Sequence, residues 1–379
     1  MINILASDII LKRCDITCLT SKLVDRFSDK EIEKIYEPPQ IPTIYKKNML
    51  SLSFEKHVKT KEDFKPWKEK ALSVLDGIIN MHNVTVGKVK KIDSVEKENY
   101  TINKFTMEAM DGDIIIFYEL LPNELKFKIP AVFLIPGTGN QGAKDLINIP
   151  SNLSKYYYQS SIGMHIANEG YAVYVIENRG WGERSIDVGN ACYSYDTYGK
   201  DVLCSGRILE NALRSLGYNI NEFYYSDSNQ VLKYIYALNY IDNKRVAIGG
   251  LSLGAGVAKH VSIGNPQINA TIIASGTGNF HETFSLGTGG PLKYFDNYDT
   301  DALIAPRPLY ISFGLKETGM FNFESRNNFT ANFLNNVYDM FDARDNFYYI
   351  VHEGAHEYHI PSVLHFLNQT IGKNSDNQK

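Results

Sequence analysis

The stretch of sequence that decides the fold is Arg245-Val-Ala-Ile-Gly-Gly-Leu-Ser-Leu-Gly-Ala-Gly-Val-Ala258. Its first five residues form a strand pattern, and the residues after Gly254 continue as a helical pattern. The segment Gly250-Leu-Ser-Leu-Gly254 therefore lies between a strand and a helix, which is the context that a nucleophile elbow requires. Small residues flank the serine because such a turn is crowded, and the turn raises the serine hydroxyl above the sheet at a helix N-terminus. The motif predicts a nucleophile at Ser252.

Strand and helix patterns alternate on both sides of this motif. Strand patterns rich in Val, Ile, Tyr and Phe cover residues 113–121, 129–135, 171–176, 245–249, 268–274, 308–313 and 346–351. Helical patterns cover residues 160–169, 229–241, 254–263, 324–341 and 360–371. Several of the strands are apolar throughout, as expected of strands that are buried on both faces. The alternation predicts an α/β fold with a mostly parallel central sheet flanked by helices.

The chain changes character near residue 100. Residues 1–100 are charged and helix-like, and we predict that they form an N-terminal helical extension or arm, whereas residues 101–379 form the main α/β domain. Residues 181–228 are a candidate cap segment, because this long connection is rich in aromatic residues: Trp181, Tyr193, Tyr195, Tyr198, Tyr218, Tyr224 and Tyr225. These rings either offer stacking faces to a sugar or an aromatic acyl group or pack beneath the connection.

Composition narrows the class of protein. The chain has 379 residues, 44% of them hydrophobic, and 39 basic residues against 43 acidic ones, with no dense basic run, so we expect no nucleic-acid partner. No uncharged apolar run approaches the roughly 18 to 20 residues that span a membrane, and the opening segment lacks the pattern of a signal peptide. We therefore expect a cytoplasmic protein with no membrane partner. The four cysteines, Cys14, Cys18, Cys192 and Cys204, are predicted to be free thiols.

The loop after the strand pattern 129–135 matches two kinds of site. Its sequence, Gly137-Thr-Gly-Asn-Gln-Gly142, fits the GxGxxG pattern of a dinucleotide site. That interpretation is disfavoured, because Glu177 follows Gly137 by 40 residues where a ribose-binding acid is expected after about 20, and Pro150 interrupts the segment that should be the phosphate-binding helix. The loop instead suits backbone N–H groups that stabilise an oxyanion. We predict Thr138 and Leu253 as the two donors.

A third motif, His352-Glu-Gly-Ala-His356, matches the zinc-binding HExxH pattern. A zinc site of this kind needs a helix to bring both histidines to one face. Here a strand pattern precedes the motif, and Gly354 would cost about 1 kcal/mol inside a helix, so a strand end and a turn are favoured. We expect no metal site and assign His356 as a general base, with His359 as the reserve.

The acid that orients such a histidine should lie between Ser252 and His356 in the sequence, at the end of a strand. Glu317 fits, because it follows the strand pattern 308–313 by a few residues and could hold the imidazole in the tautomer that accepts the serine proton. Four other carboxylates are rivals for this role: Asp299, Asp301, Asp342 and Asp345.

Together these motifs make residues from about 60 to the C-terminus resemble the α/β-hydrolase superfamily, in its acetyl-xylan-esterase and dienelactone-hydrolase-like branch. The resemblance rests on the elbow at Ser252 and on Pro136-Gly-Thr-Gly139, Glu177-Asn-Arg-Gly-Trp-Gly-Glu-Arg-Ser185, Asp301-Ala-Leu-Ile-Ala-Pro-Arg-Pro308 and Glu353-Gly-Ala-His356. Two positions depart from the family pattern: Pro136 stands where a histidine is common, and Glu317 stands where Asp is usual.

The resemblance implies a serine hydrolase that cleaves a small-molecule carboxylic ester, with an acetyl or other small acyl group, through an acyl-enzyme and without a cofactor. An acyltransferase or thioesterase of a biosynthetic pathway would use the same residues. A noncatalytic binding module with this fold would need a defective triad, and only the replacement at Glu317 hints at one. The N-terminal arm is a candidate contact between copies of the chain.

Overall fold

The structure, a computed structural model, describes residues 50–81, 84–125, 127–139, 142–148, 159–186, 202–276, 293–317 and 324–372. Its helices are α1 (Phe54–His57), α2 (Lys61–Ile79), α3 (Ala143–Ile147), α4 (Ile162–Asn168), α5 (Val202–Ser215), α6 (Ile220–Ala237), α7 (Leu253–Gly264), α8 (Asn297–Ala302), α9 (Glu324–Met340) and α10 (Ile360–Ile371). Its strands are β1 (Val89–Glu96), β2 (Tyr100–Glu108), β3 (Ile114–Pro122), β4 (Ile129–Ile135), β5 (Ala172–Ile176), β6 (Ile241–Leu251), β7 (Ala270–Ala274), β8 (Leu309–Gly314) and β9 (Phe347–His352). Across these ranges, every helix is too short or too polar to cross a membrane.

All of these strands belong to one sheet, in the order β1-β2-β3-β5-β4-β6-β7-β8-β9. The pairs β1/β2, β2/β3 and β3/β5 are antiparallel, and the strands from β5 to β9 in this order run parallel. Every residue of β4, β5, β7 and β8 is buried, which explains why these strands are apolar throughout. The prediction of a mostly parallel sheet flanked by helices is confirmed.

Two strands, β1 and β2, were not predicted. β1 is exposed along almost its whole length and is rich in lysine and acidic residues, so it carries no apolar periodicity. It lies within the stretch 1–100 that was predicted to be helical, and for residues 89–96 that prediction is wrong, whereas α2 is the long helix expected there. Residues 1–49 lie outside the described residues, and the division near residue 100 stays a prediction. The predicted helix 229–241 in fact begins at Ile220 and ends at Ala237.

Helices cover both faces of the sheet. On one face, α6 and α7 pack apolar side chains against the strands, with Ile79 at the end of α2. On the other face, α3, α4 and α10 form a second apolar layer. A third cluster joins α1, α2 and α9 to the strands β7 to β9. Trp67 anchors this region, since its side chain is buried and its indole N–H donates to the Leu52 carbonyl at 2.8 Å. The sheet is therefore packed between apolar layers of helices.

The direction of the strands decides where polar residues meet. Because β4, β6, β7, β8 and β9 are parallel neighbours, their carboxyl ends lie along one edge of the sheet. Pro136, Ser252, Ser275 and Glu317 each follow one of these strands within a few residues, and His356 follows the last of them. Three residues predicted from the sequence, Ser252, Glu317 and His356, therefore share one edge with Ser275.

Candidate active site

Ser252 occupies the turn between β6 and α7. Its backbone has φ +58° and ψ −119°, a conformation that residues with a side chain rarely adopt. The neighbouring strand holds this turn in place, because the Ser252 N–H donates to the Ala274 carbonyl at 2.9 Å. The strain lies at a residue whose side chain is partly exposed at the end of the sheet, which is typical of a functional position.

Glycines on both sides of Ser252 allow the turn to be this tight. A Cβ atom on Gly250 would lie 2.1 Å from the carbonyl carbon of Gly254, and one on Gly254 would lie 2.0 Å from the carbonyl oxygen of Ile135. Gly276 is packed similarly, because its Cβ would lie 2.2 Å from that of Ala255. These contacts give a structural reason for the small residues of the motif: the start of α7 lies directly against the end of β4.

Glu317 is held in a tight turn after β8. Its side chain is 2% exposed. Its Oε1 accepts hydrogen bonds from the Ser275 hydroxyl at 2.5 Å and from the Gly314 N–H at 3.0 Å. Its Oε2 lies 3.2 Å from Nδ1 of His356. Both carboxylate oxygens therefore have partners, and the direction of the carboxylate is fixed.

The loop that carries His356 is joined to the Glu317 turn by backbone hydrogen bonds. The Leu315 N–H donates to the His352 carbonyl at 2.8 Å, and the Lys316 N–H donates to the Gly354 carbonyl at 2.9 Å. Gly314 lies so close to this loop that a Cβ on it would be 2.1 Å from the Ala355 carbonyl oxygen. The acid and the histidine are thus positioned by one connected piece of backbone.

Ser275, after β7, links the elbow to the acid. Its hydroxyl donates to Glu317, its N–H donates to the Ser312 carbonyl at 2.8 Å, and the next residue, Gly276, packs against the first turn of α7. Ser275 was not predicted from the sequence. The signal that could have identified it is a polar residue directly after an apolar strand, at the edge where the other site residues lie.

Buried polar side chains support the loop that carries Thr138, after β4. The Gly137 N–H donates to Gln159 Oε1 at 2.7 Å, and Asn178 Nδ2 donates to the Pro136 carbonyl at 2.8 Å. Leu253, the other predicted donor, is the first residue of α7, where backbone N–H groups have no acceptor within the helix. Gln159 was missed by sequence analysis, because it lies outside any motif and follows no strand.

The surroundings of Glu177 argue against the dinucleotide interpretation of this loop. Glu177 is fully buried, and its two carboxylate oxygens accept the Ala143 N–H at 3.1 and 3.2 Å. Burial raises the pKa of Glu177 to about 8. A Cβ on Gly142 or Gly182 would lie 1.7 or 2.2 Å from this carboxyl group. Glu177 is therefore enclosed by protein, and it braces the loop instead of facing a ribose.

The HExxH interpretation fails on backbone shape, because His352 ends β9 and bends replace the helix that the motif needs. His352 Nδ1 accepts the Gly354 N–H at 3.2 Å, and its ring stacks on that of His359 with centroids 5.3 Å apart. Burial, together with the nearby His359, lowers the pKa of His352 and favours its neutral form. His359, the reserve base, bonds through Nδ1 to the Ser362 hydroxyl at 2.7 Å.

The rival carboxylates have other partners or positions. Asp299, the third residue of α8, accepts the Asp296 N–H at 2.8 Å and the Phe54 N–H at 2.7 Å, and burial raises its pKa to about 7. Asp301 pairs with the buried Lys259 at 3.0 Å. Asp342 lies 3.5 Å from Lys61, and Asp345 is exposed in a turn before β9. Among the five candidates, Glu317 has the bond to His356.

Some of the aromatic residues predicted for a cap are core residues instead. Trp181 is 5% exposed, and its indole N–H donates to the Tyr224 hydroxyl at 3.0 Å. Tyr224 and Tyr225 are also buried. For these three the packing alternative is correct. Tyr193, Tyr195 and Tyr198 lie outside the described residues.

Comparisons with known proteins bear on the family and the fold of the chain. Residues 39–282, more than half of the chain, match the model of the Abhydrolase family. No curated protein sequence matches the chain. Among solved structures, a candidate acetyl xylan esterase from Bacteroides fragilis superposes with a TM-score of 0.67 at 17% identity, over 82% of this chain and 80% of that one.

Two further structures are similar over most of this chain. A methylesterase has a TM-score of 0.62 at 16% identity, over 88% of this chain and 69% of its own. A glucuronoyl esterase from Solibacter usitatus has a TM-score of 0.56 at 12% identity, over 84% and 97%. At such identities the likeness concerns the fold alone. The chain belongs to the α/β-hydrolase family.

Proposed function

We propose that this protein is a serine hydrolase that cleaves a carboxylic ester with an acetyl or other small acyl group. The observation that carries the proposal is the bond between His356 Nδ1 and the buried Glu317, at the sheet edge where Ser252 occupies its strained turn. The names of the structural neighbours, an acetyl xylan esterase and a methylesterase among them, support an ester as substrate and a small group on one side of it.

The position of the Glu317 carboxylate favours one tautomer of the histidine. Because its carboxylate is held by Ser275 and Gly314, it is placed to accept an N–H from His356 Nδ1. With its proton on Nδ1, His356 has its lone pair on Nε2. Nε2 is the atom that takes a proton from a serine. A carboxylate in this position also stabilises the imidazolium that forms during the reaction.

Acylation follows from these roles. His356 Nε2 takes the Ser252 proton while Ser252 Oγ forms a bond to the ester carbonyl carbon, and the carbonyl electron pair moves to oxygen. The Leu253 and Thr138 N–H groups stabilise that oxyanion. When the carbonyl re-forms, the alkoxide leaves and receives the proton from His356. Water, deprotonated by the same nitrogen, then releases the acid and restores Ser252.

The test is hydrolysis of p-nitrophenyl acetate and p-nitrophenyl butyrate by the wild type, by Ser252→Ala and by Ser215→Ala, a control at an exposed serine of α5. Each protein is assayed with and without a zinc chelator. A fluorophosphonate probe, which labels activated serines, is mapped by mass spectrometry. We expect hydrolysis by the wild type and the control, loss in Ser252→Ala, labelling at Ser252 and no effect of the chelator.

Other results would overturn the proposal. Hydrolysis that persists in Ser252→Ala but disappears with the chelator would mean metal-dependent chemistry. An unlabelled Ser252 together with inertness toward both esters would mean a binding module. Acyl transfer to added alcohols or amines in preference to water would mean an acyltransferase.

A further inference from the structure

The peptide group that joins Pro136 to Gly137 is held at both ends by buried side chains. Asn178 Nδ2 donates to its carbonyl oxygen at 2.8 Å, and its N–H donates to Gln159 Oε1 at 2.7 Å. Asn178 is 2% exposed and Gln159 is 1% exposed. Because a peptide group is planar, two hydrogen bonds at its opposite ends fix its rotation.

Gln159 is itself fixed in the orientation that this bond needs. Its backbone N–H donates to Asp145 Oδ2 at 3.2 Å, and its Nε2 donates to the Gly142 carbonyl at 3.5 Å, which leaves Oε1 for Gly137. Asn178 is the second residue after β5, next to Glu177, which holds the far end of the same loop through Ala143. Gln159 is therefore held by two further hydrogen bonds, and Asn178 adjoins a residue that bonds to the same loop.

The clamped peptide directly precedes the one that carries the Thr138 N–H, and it packs against the start of α7, which carries Leu253. The next peptide group along the chain carries the Thr138 N–H, so its direction depends on the group before it. On the other side, the carbonyls of Ile135 and Pro136 pack against Gly254, which follows Leu253 in α7. The clamp therefore connects the orientation of the Thr138 amide to the start of the helix that carries the Leu253 amide.

We propose that Asn178 and Gln159 are positioning residues for the oxyanion, because together they fix the Pro136–Gly137 peptide and through it the direction of the Thr138 N–H. This inference rests on the proposed function. A donor stabilises a developing charge only when it is aimed in advance at the place where the charge appears. The clamp is therefore expected to act on the tetrahedral intermediate and not on the bound ester.

The test uses Asn178→Asp, which keeps size but replaces the donating amide by a carboxylate facing the Pro136 carbonyl. Gln159→Met, which removes the acceptor for the Gly137 N–H, tests the other end of the same peptide and serves where Asn178→Asp does not fold. The matched control is Asn265→Asp, because Asn265 is also buried and its amide donates to a backbone carbonyl, that of Val261, at 2.8 Å. Asn265 lies at the far end of α7 from the elbow.

Three quantities are measured: kcat and KM for p-nitrophenyl acetate, and the inhibition constant of a trifluoromethyl ketone. The serine hydroxyl adds to the carbonyl carbon of this ketone, and the tetrahedral adduct carries an oxyanion. For Asn178→Asp and Gln159→Met we expect kcat to fall about 10²-fold, in the range of losing one oxyanion donor. KM should change little, and the inhibition constant should rise in proportion to the loss of kcat. Asn265→Asp should lower the melting temperature and leave kcat unchanged.

Unchanged kcat in folded Asn178→Asp and Gln159→Met, or a loss of kcat without a matching loss of ketone affinity, would overturn the clamp. An equal loss of kcat in Asn265→Asp would mean that destabilisation alone explains the effect. The proposed function has its own readout, since hydrolysis by Ser252→Ala would overturn it whatever the clamp variants do.

Discussion

The side chain of Glu317 fits the turn that follows β8. It is the longer of the two acidic residue types, and its extra methylene is absorbed by a turn in which the Glu317 carboxylate accepts the Gly314 N–H of its own strand end. Ser275 and His356 take the remaining directions. The length of the side chain and the shape of the turn therefore fit each other, and a glutamate here is compatible with a working triad.

We expect Glu317→Gln to lower kcat by on the order of 10³- to 10⁴-fold, because an amide can present its NH₂ group to His356 and favour the wrong tautomer. Glu317→Asp should retain more activity than Glu317→Gln, since it keeps the charge but moves it away from the ring. Steady-state hydrolysis of p-nitrophenyl acetate measures both.

The control for this pair is Glu353→Gln, at the exposed glutamate of the His352-Glu-Gly-Ala-His356 segment. Its activity should match the wild type. A large loss in Glu353→Gln with an active Glu317→Gln would show that the acid has been assigned to the wrong carboxylate.

At this scale the sequence was informative where a residue belongs to a motif. Ser252 and His356 lie in short patterns with fixed neighbours, whereas Glu317 could be inferred only from its distance to a strand end. Gln159 was beyond reach, because its role depends on a backbone group 22 positions earlier in the chain. Such a contact exists only after the sheet has formed.

Among the elements, α7 is tightly packed against its neighbours at its beginning. Gly254 faces the end of β4, where a side chain would overlap the Ile135 carbonyl, whereas Gly256, half a turn later, has nothing within 4 Å of the place where its Cβ would be. Two glycines of the same helix thus have opposite surroundings. This offers a matched pair of substitutions.

We predict that Gly254→Ala strongly destabilises the protein or prevents folding, because α7 must move away from β4. Gly256→Ala should raise the free energy of unfolding by up to about 1 kcal/mol, the difference in helix propensity between the two residues. Urea unfolding followed by circular dichroism compares them. Similar stabilities for the two variants would contradict the close packing of α7 on β4.

Sequence patterns predicted the parallel strands well and missed β1 and β2. The parallel strands are buried on both faces, so burial itself writes a continuous apolar run into the sequence. Among the described strands, β1 pairs only with β2, and it is exposed, so its place depends on backbone hydrogen bonds that any residues can make. Pairing of that kind leaves little trace in the choice of side chains.

On the scale of the whole molecule, stability should depend on pH through Glu177. Burial raises its pKa from 4.5 to about 8, so the folded state holds this proton more tightly than the unfolded chain does, while nearby Glu183 also raises the pKa and Lys144 lowers it. The stabilisation is complete below pH 4.5 and is lost as the pH rises through about 8. The wild type therefore loses stability across this interval.

We predict that Glu177→Gln removes this loss, because glutamine has no proton to release. The difference in unfolding free energy, variant minus wild type, should increase between pH 4.5 and pH 8, by up to a few kcal/mol at about 1.4 kcal/mol per pKa unit. Denaturant titrations at several pH values measure it. Glu98→Gln, at an exposed position, is the control. A difference that stays constant with pH would contradict a proton held by Glu177.

Because of the position of β9, we expect this strand to open before the centre of the sheet. Among the described strands, β9 is last in the sheet and pairs only with β8, yet the loop that follows it carries His356. Outer strands open more readily than central ones, since fewer neighbours hold them. A slight loosening of this border would separate His356 from Glu317 while the interior of the sheet remained intact. We therefore expect activity to fall under milder conditions than those that change signals from the core of the protein.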